Sequence, residues 1–223
     1  MAAPTSAPLT AIGQGPGDLV VQAPAGAADG LLLLFHGVGS SAEDMAPLGQ
    51  LLARHLPRHW VVSVRAPEPC DLGAGWQWFS VRGVDEANRP ARVEAVMPGF
   101  VATVRRWQAK AGVDAARTAL LGFSQGAIMA LESTQSVPAL AGRVVAIAGR
   151  FAQPPRRASA ATVLHLVHGE GDGVMPVALS ESALRQWQAL GGQATLDRLP
   201  GLGHGIDARA VNAVRRHLTG EAR

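Results

Sequence analysis

One cysteine, Cys70, stands in a chain of 223 residues, so no intramolecular disulfide can form. That pattern suits a reducing compartment, and the cytoplasm is the expected location. Nowhere does the chain approach the run of about 18 apolar residues that a membrane-spanning helix requires. Residues 1–17 are rich in Ala, Pro, Gly and Thr and lack a basic start followed by an apolar core, so they do not read as a secretory signal. They are expected to form a loose tail before one domain over 18–223. Charge of one sign is also scarce: 20 Lys and Arg against 17 Asp and Glu leave a net +3. The arginines are scattered or paired, as in Arg105-Arg106, Arg156-Arg157 and Arg215-Arg216, and no basic run is long enough for a nucleic-acid footprint. Internal repeats and interdomain linkers are absent from the sequence. With 48% hydrophobic and 17% charged residues the chain is globular and not disordered.

What is present is an alternation of short apolar runs and helical patterns. Strands are expected at 18–22, 31–35, 60–64, 118–121, 144–148, 162–167 and 194–199. Helices are expected at 41–55, 92–111, 125–136, 177–190 and 206–218. The 31–35 run, Leu-Leu-Leu-Leu-Phe, has no polar alternation, the mark of a strand buried on both faces. Ser41-x-x-Asp44 opens a helix in capping-box fashion, and Gly191-Gly192 closes one. This order predicts an α/β fold: a single-domain, mostly parallel central sheet with helices on both faces. Reactive groups in such sheets sit past the carboxyl ends of strands.

Gly122-Phe123-Ser124-Gln125-Gly126 joins an expected strand to an expected helix. A chance Gly-x-Ser-x-Gly arises roughly once in seven chains of this composition, so its context must carry the reading. A serine hydroxyl is a poor nucleophile unless it is exposed, beside a base and aimed at an oxyanion site. Past the 162–167 strand come Glu170 and Asp172, and past the 194–199 strand comes His204 between Gly203 and Gly205. Ser124, an acid and His204 thus fall at three strand ends in the chain order Ser…Asp…His. Ser124 would attack, His204 would take its proton, and Asp172 or Glu170 would hold the imidazole. Oxyanion donors are expected from the backbone N–H groups of Val38, in the turn His36-Gly37-Val38-Gly39, and of Gln125. His36 is expected to order that turn.

Trp76-Gln77-Trp78-Phe79 is the densest aromatic cluster in a chain with 4% aromatics. Trp78 and Phe79, with Met175 beyond the acid, are candidates for a pocket wall; packing beneath a long loop is the alternative. No metal or cofactor is expected. His36 lacks partners at ligand spacing, His165 and His168 face opposite sides of a strand, and His55 and His59 straddle Pro57. Residues 149–161 carry Pro154-Pro155 and are too few to build a cap domain. Arg150 at that strand end is a candidate for an anionic substrate group or for a surface salt bridge.

These stretches resemble the phospholipase/carboxylesterase family of α/β-hydrolases, which contains bacterial carboxylesterases and acyl-protein thioesterases, and within it the YpfH-type bacterial esterases. The resemblance rests on Leu31 to Gly39, Trp78-Phe79-Ser80-Val81, Asn88-Arg89-x-Ala91-Arg92-Val93, Gly122 to Ser133, His168-Gly169-x-x-Asp172 and Leu202-Gly203-His204. It implies hydrolysis of short acyl esters without a cofactor, a small-molecule ester as partner, and Ser124, Asp172 and His204 as triad. Thioester or lysophospholipid substrates would use the same machinery. Gly173 departs from the proline usual after the acid, and Pro176 follows a little later.

Overall fold

The computed structural model describes residues 17–221; apart from Gly17, the expected tail of residues 1–17 lies outside the described residues. In chain order the elements are β1 (Leu19–Gln22), β2 (Gly30–Phe35), α1 (Ala42–Ala53), β3 (His59–Val64), β4 (Glu68–Pro69), β5 (Trp76–Gln77) and α2 (Arg89–Ala111). A short 3-10 turn, Ala115–Arg117, leads into β6 (Thr118–Phe123) and α3 (Gln125–Ser136). Then follow β7 (Arg143–Ile147), β8 (Val163–Gly169), α4 (Ala178–Ala189), β9 (Ala194–Leu199) and α5 (Ala208–Thr219).

Seven strands form one sheet in the order β1-β3-β2-β6-β7-β8-β9. Only the edge pair β1–β3 is antiparallel; the rest of the sheet is parallel. Parallel strands need helical crossovers, and these cover both faces. The leucine run of β2 shows why it reads as continuously apolar. Leu31, Leu33 and Phe35 pack into the core under α2, α3 and α4, while Leu32 and Leu34 pack into the core under α1 and α5. All six β2 residues are buried.

Element boundaries follow local chemistry. The Ser41 hydroxyl accepts the Asp44 N–H at 3.3 Å and starts α1. The Asp44 carboxylate takes the Ser40 hydroxyl at 2.9 Å, so that carboxylate contact goes to Ser40. Helix α2 begins at Arg89, three residues before the expected 92, because Pro90 is well placed in a first turn. It ends at Gly112, which stands in the left-handed region at φ 62°. The β4–β5 ribbon was not expected from the sequence: its strands are two residues each, too short for any periodicity. Residues 149–161 carry no helix or strand. They lie along α3, where the Glu132 carboxylate accepts the N–H groups of Ala152 at 2.6 Å and Gln153 at 3.4 Å.

The turn from β6 into α3 is the tightest part of the fold. Ser124 has φ 52° and ψ −115°, a conformation a side-chain-bearing residue adopts only under constraint. It is held there because β6 and α3 nearly touch. A Cβ on Gly122 would lie 2.4 Å from the Ala127 nitrogen, and one on Gly126 would lie 2.2 Å from the Phe35 carbonyl oxygen. Only hydrogen fits at either position.

On the opposite face, the His165 and His217 rings stack at 4.0 Å. His217 Nε2 meets Asp197 Oδ2 at 2.5 Å. Burial, then the neighbouring His217 and Arg143, hold the His165 imidazole down at about 3 against an ordinary 6.5.

Two predictions follow from this packing. Gly126→Ala forces a methyl against β2 backbone that cannot yield, and urea unfolding should show at least the ~1–3 kcal/mol of an overpacked core lost; wild-type stability would mean that the turn relaxes freely. His165 binds its proton near 6.5 when unfolded and only near 3 when folded. Stability should therefore fall as pH drops through that window, since the unfolded state holds more protons there. His165→Asn should make the fall shallower in urea unfolding at pH 7, 5 and 4; parallel curves for the two proteins would contradict the assignment.

Candidate active site

Three loops meet at the carboxyl edge of the sheet. Ser124 follows β6 directly, Asp172 stands three residues past β8, and His204 five residues past β9. The loops after β8 and β9 are tied together: Gly171 N–H donates to Leu202 O at 2.9 Å and Glu170 N–H to Leu199 O at 3.0 Å. A Cβ on Gly169 would overlap Leu202 O at 2.2 Å, so the loops lie in contact. That contact brings an acid and a histidine 32 residues apart within reach.

His204 Nδ1 lies 2.7 Å from Asp172 Oδ2 and His204 Nε2 lies 2.9 Å from Ser124 Oγ. Both are within ordinary hydrogen-bond distance. The carboxylate at one end can fix the imidazole tautomer, leaving Nε2 free to accept the serine proton. The other oxygen of Asp172 accepts the N–H groups of Val174 at 2.9 Å and Met175 at 2.8 Å. Burial opposes ionisation of Asp172, but the donors Met175, His204 and Val174 together hold its carboxyl below the ordinary carboxylate range. Glu170, the rival acid, points elsewhere and pairs with Arg198 at 2.8 Å. His204 also has a packing contact that its glycine neighbours did not suggest: its ring lies 5.2 Å from that of Phe123.

Gln125 and Gly126 open α3, so their N–H groups have no carbonyl one turn behind them. Opposite them is the turn 36–39. Ala66 N–H donates to His36 Nε2 at 3.0 Å, which leaves the proton on Nδ1, 2.7 Å from Gly37 O. Burial lowers the basicity of this imidazole, in keeping with a neutral ring. His36 thus orders the turn, as expected. Gly39 N–H donates to Trp76 O at 2.9 Å, and Trp76 N–H returns to Ser40 O at 2.8 Å. The turn is held open by β5, and Val38 at its tip is 37% exposed.

The side chain of Gln125 does work that the motif did not announce. Its Oε1 accepts Trp78 N–H at 2.8 Å and its Nε2 donates to Phe79 O at 2.7 Å. A primary amide offers one donor and one acceptor on adjacent atoms, so it pairs with this segment as a strand would. Trp78 Nε1 in turn donates to His36 O at 2.9 Å. Trp78 and Phe79, expected as a pocket wall, are each 3% exposed and lie in the core. Phe35 and Phe100 both pack edge-on to Trp78. Met175 is half-buried against the same core. Arg150 takes the salt-bridge alternative: both its terminal nitrogens meet Glu86, at 2.8 and 2.6 Å. With Arg89 also bound, Glu86 is held down at about 2 against an ordinary 4.5. Among the described residues no three His, Cys, Asp or Glu side chains cluster as metal ligands would, and no helix is long and apolar enough to cross a membrane.

Residues 16–221 match the Phospholipase/Carboxylesterase family. The chain is 50% identical to Esterase YpfH of Escherichia coli strain K12 over 199 residues, 89% of this chain and 86% of that protein. Among solved structures, esterase PE8 superposes with a TM-score of 0.85 at 32% identity, covering 92% of this chain and 99% of PE8. A Bacillus cereus carboxylesterase superposes at 0.77 with 16% identity, covering 92% and 94%, a likeness of fold. The chain belongs to the phospholipase/carboxylesterase family of α/β-hydrolases and is a carboxylic ester hydrolase.

Proposed function

We propose that the chain is a serine carboxylesterase for short-chain acyl esters, working through Ser124, His204 and Asp172 and an acyl-enzyme. The carrying observation is the unbroken row Asp172 Oδ2, His204 Nδ1, His204 Nε2 and Ser124 Oγ, with spacings of 2.7 and 2.9 Å. Ser124 Oγ attacks the ester carbonyl while His204 Nε2 takes its proton. The N–H groups of Val38 and Gln125 stabilise the oxyanion. The alcohol leaves with the proton from His204 and Ser124 stays acylated. A water then attacks, again giving its proton to His204, and collapse of the second tetrahedral species frees the acid and restores Ser124.

Substrate class is supported by the surface around the row. Val38 and Val174 are 37% and 72% exposed, and they lie on the loops past β2 and β8 at the catalytic edge. Large apolar side chains in such positions favour an apolar acyl or alcohol group. Residues 149–161 fold onto α3 and carry no helix that could roof the site, which favours small substrates over deeply enclosed ones. Thioesters and lysophospholipids could use the same row. A lone Cys70 and the absence of a spanning helix among the described residues support the cytoplasm as its place of action.

Ser124→Ala should abolish hydrolysis of p-nitrophenyl butyrate. Asp172→Asn should lower kcat by about 10⁴, whereas Glu170→Gln should stay within about threefold of wild type, as a surface substitution would. A larger loss at Glu170 would overturn the choice of acid. Higher kcat/KM for palmitoyl-CoA than for the butyrate ester would replace the short-ester reading with a thioesterase one.

A further inference from the structure

A second imidazole lies against the catalytic row, on the far side of Asp172. His168 is the penultimate residue of β8, and its side chain, like that of Asp172, is wholly buried. Its Nε2 is 2.7 Å from Met175 O and 3.2 Å from Asp172 Oδ2. A carbonyl oxygen cannot donate, so Nε2 carries the proton. One N–H therefore faces both the first residue and the last of the turn 172–175.

The other ring nitrogen is anchored as well. Nδ1 lies 2.7 Å from Ser180 Oγ on α4, and that hydroxyl donates at 3.1 Å to Gly149 O, two residues past β7. His168 thus connects the acid turn to β8, α4 and the edge of β7 at once.

The turn needs such an anchor. Gly171 and Gly173 flank Asp172 and Val174 is 72% exposed, so the apolar packing of this stretch comes from Met175. Asp172 Oδ1 is fixed by the Val174 and Met175 N–H groups, which belong to the turn itself. They set the carboxylate relative to the turn and do not themselves tie the turn to β8 or α4. The contacts of His168 with Met175 O and Asp172 Oδ2 tie the turn to the sheet.

We propose that His168 is a positioning residue for ester hydrolysis, holding Asp172 Oδ2 at hydrogen-bond distance from His204 by clamping both ends of the acid turn. The proposal rests on the triad reading above. A displacement of about 1 Å in such a row costs on the order of 100-fold in rate. A residue that only staples the fold would change stability and leave turnover of the folded enzyme alone.

The test compares wild type, His168→Phe, His168→Gln and Asp172→Asn on p-nitrophenyl butyrate, with circular dichroism to confirm folding. His168→Phe should lower kcat about 100-fold with KM within about threefold, because no group touching substrate is removed. His168→Gln, whose amide N–H can take the place of Nε2–H, should recover at least about tenfold of that loss. Folded His168→Phe with kcat within about threefold of wild type would overturn the proposal, and so would His168→Gln no better than His168→Phe. Should His168→Phe not fold, Ser180→Ala decides: kcat lowered about tenfold is expected, and wild-type kcat overturns. Asp172→Asn separates the two layers. If it keeps wild-type kcat, the triad reading itself fails; if it is inactive while His168→Phe is not, only the role of His168 fails.

Discussion

Ser124 stands at φ 52° and ψ −115°, and the rest of the catalytic edge depends on its being kept there. Left-handed backbone at a non-glycine residue costs about 1–3 kcal/mol. Three backbone bonds hold it: Ser124 N–H to Ile147 O at 3.0 Å, and the N–H groups of Ala127 and Ile128 to Ser124 O at 3.0 and 3.1 Å. The two glycines of the motif add the other half of the constraint. Without side chains they let β6, β2 and the first turn of α3 approach more closely than any Cβ at these two positions would allow. The hydroxyl is then presented at the edge of the sheet, beside the loop that carries His204.

From that fixed point the remaining parts are placed by buried polar pairing. The Gln125 amide grips the Trp78–Phe79 backbone, the Trp78 indole N–H grips His36 O, and the His36 ring accepts Ala66 N–H. Each of these buried polar atoms has a partner, and an unsatisfied one would cost about 1–3 kcal/mol. The turn at Ser124, the turn 36–39 and the loop after β3 are therefore locked to one another. On the other side, His168 and Ser180 tie the acid turn to α4 and β7. The aromatic residues near the site belong to this scaffold: Trp78 and Phe79 are core residues that hold the site from beneath.

Much of this was legible in the sequence because a few physical rules force it. A leucine run without alternation has to be a strand covered on both faces, and β2 is one. Strands joined by helices have to run parallel, so the residues after β6, β8 and β9 come to one edge. That alone places Ser124, Asp172 and His204 together. The sequence was blind where spacing carries no information. Asp172 and Glu170 are both acids past β8, and they differ only in the partners the fold gives them, His204 for Asp172 and Arg198 for Glu170. Long-range side-chain pairing was equally hidden: Gln125 to Trp78 spans 47 residues and Arg150 to Glu86 spans 64. Two-residue strands such as β4 and β5 have no period to detect, and the burial of Trp78 depends on Phe35 and Phe100 from distant elements.

The central claim is that the strained serine is the nucleophile and that the hydrogen-bonded row makes it reactive. Treating the purified protein with a fluorophosphonate and locating the adduct by mass spectrometry tests both parts. A single adduct on Ser124 in the wild type, lost in His204→Ala, is the predicted result. No adduct on Ser124, or undiminished labelling without His204, would contradict the account.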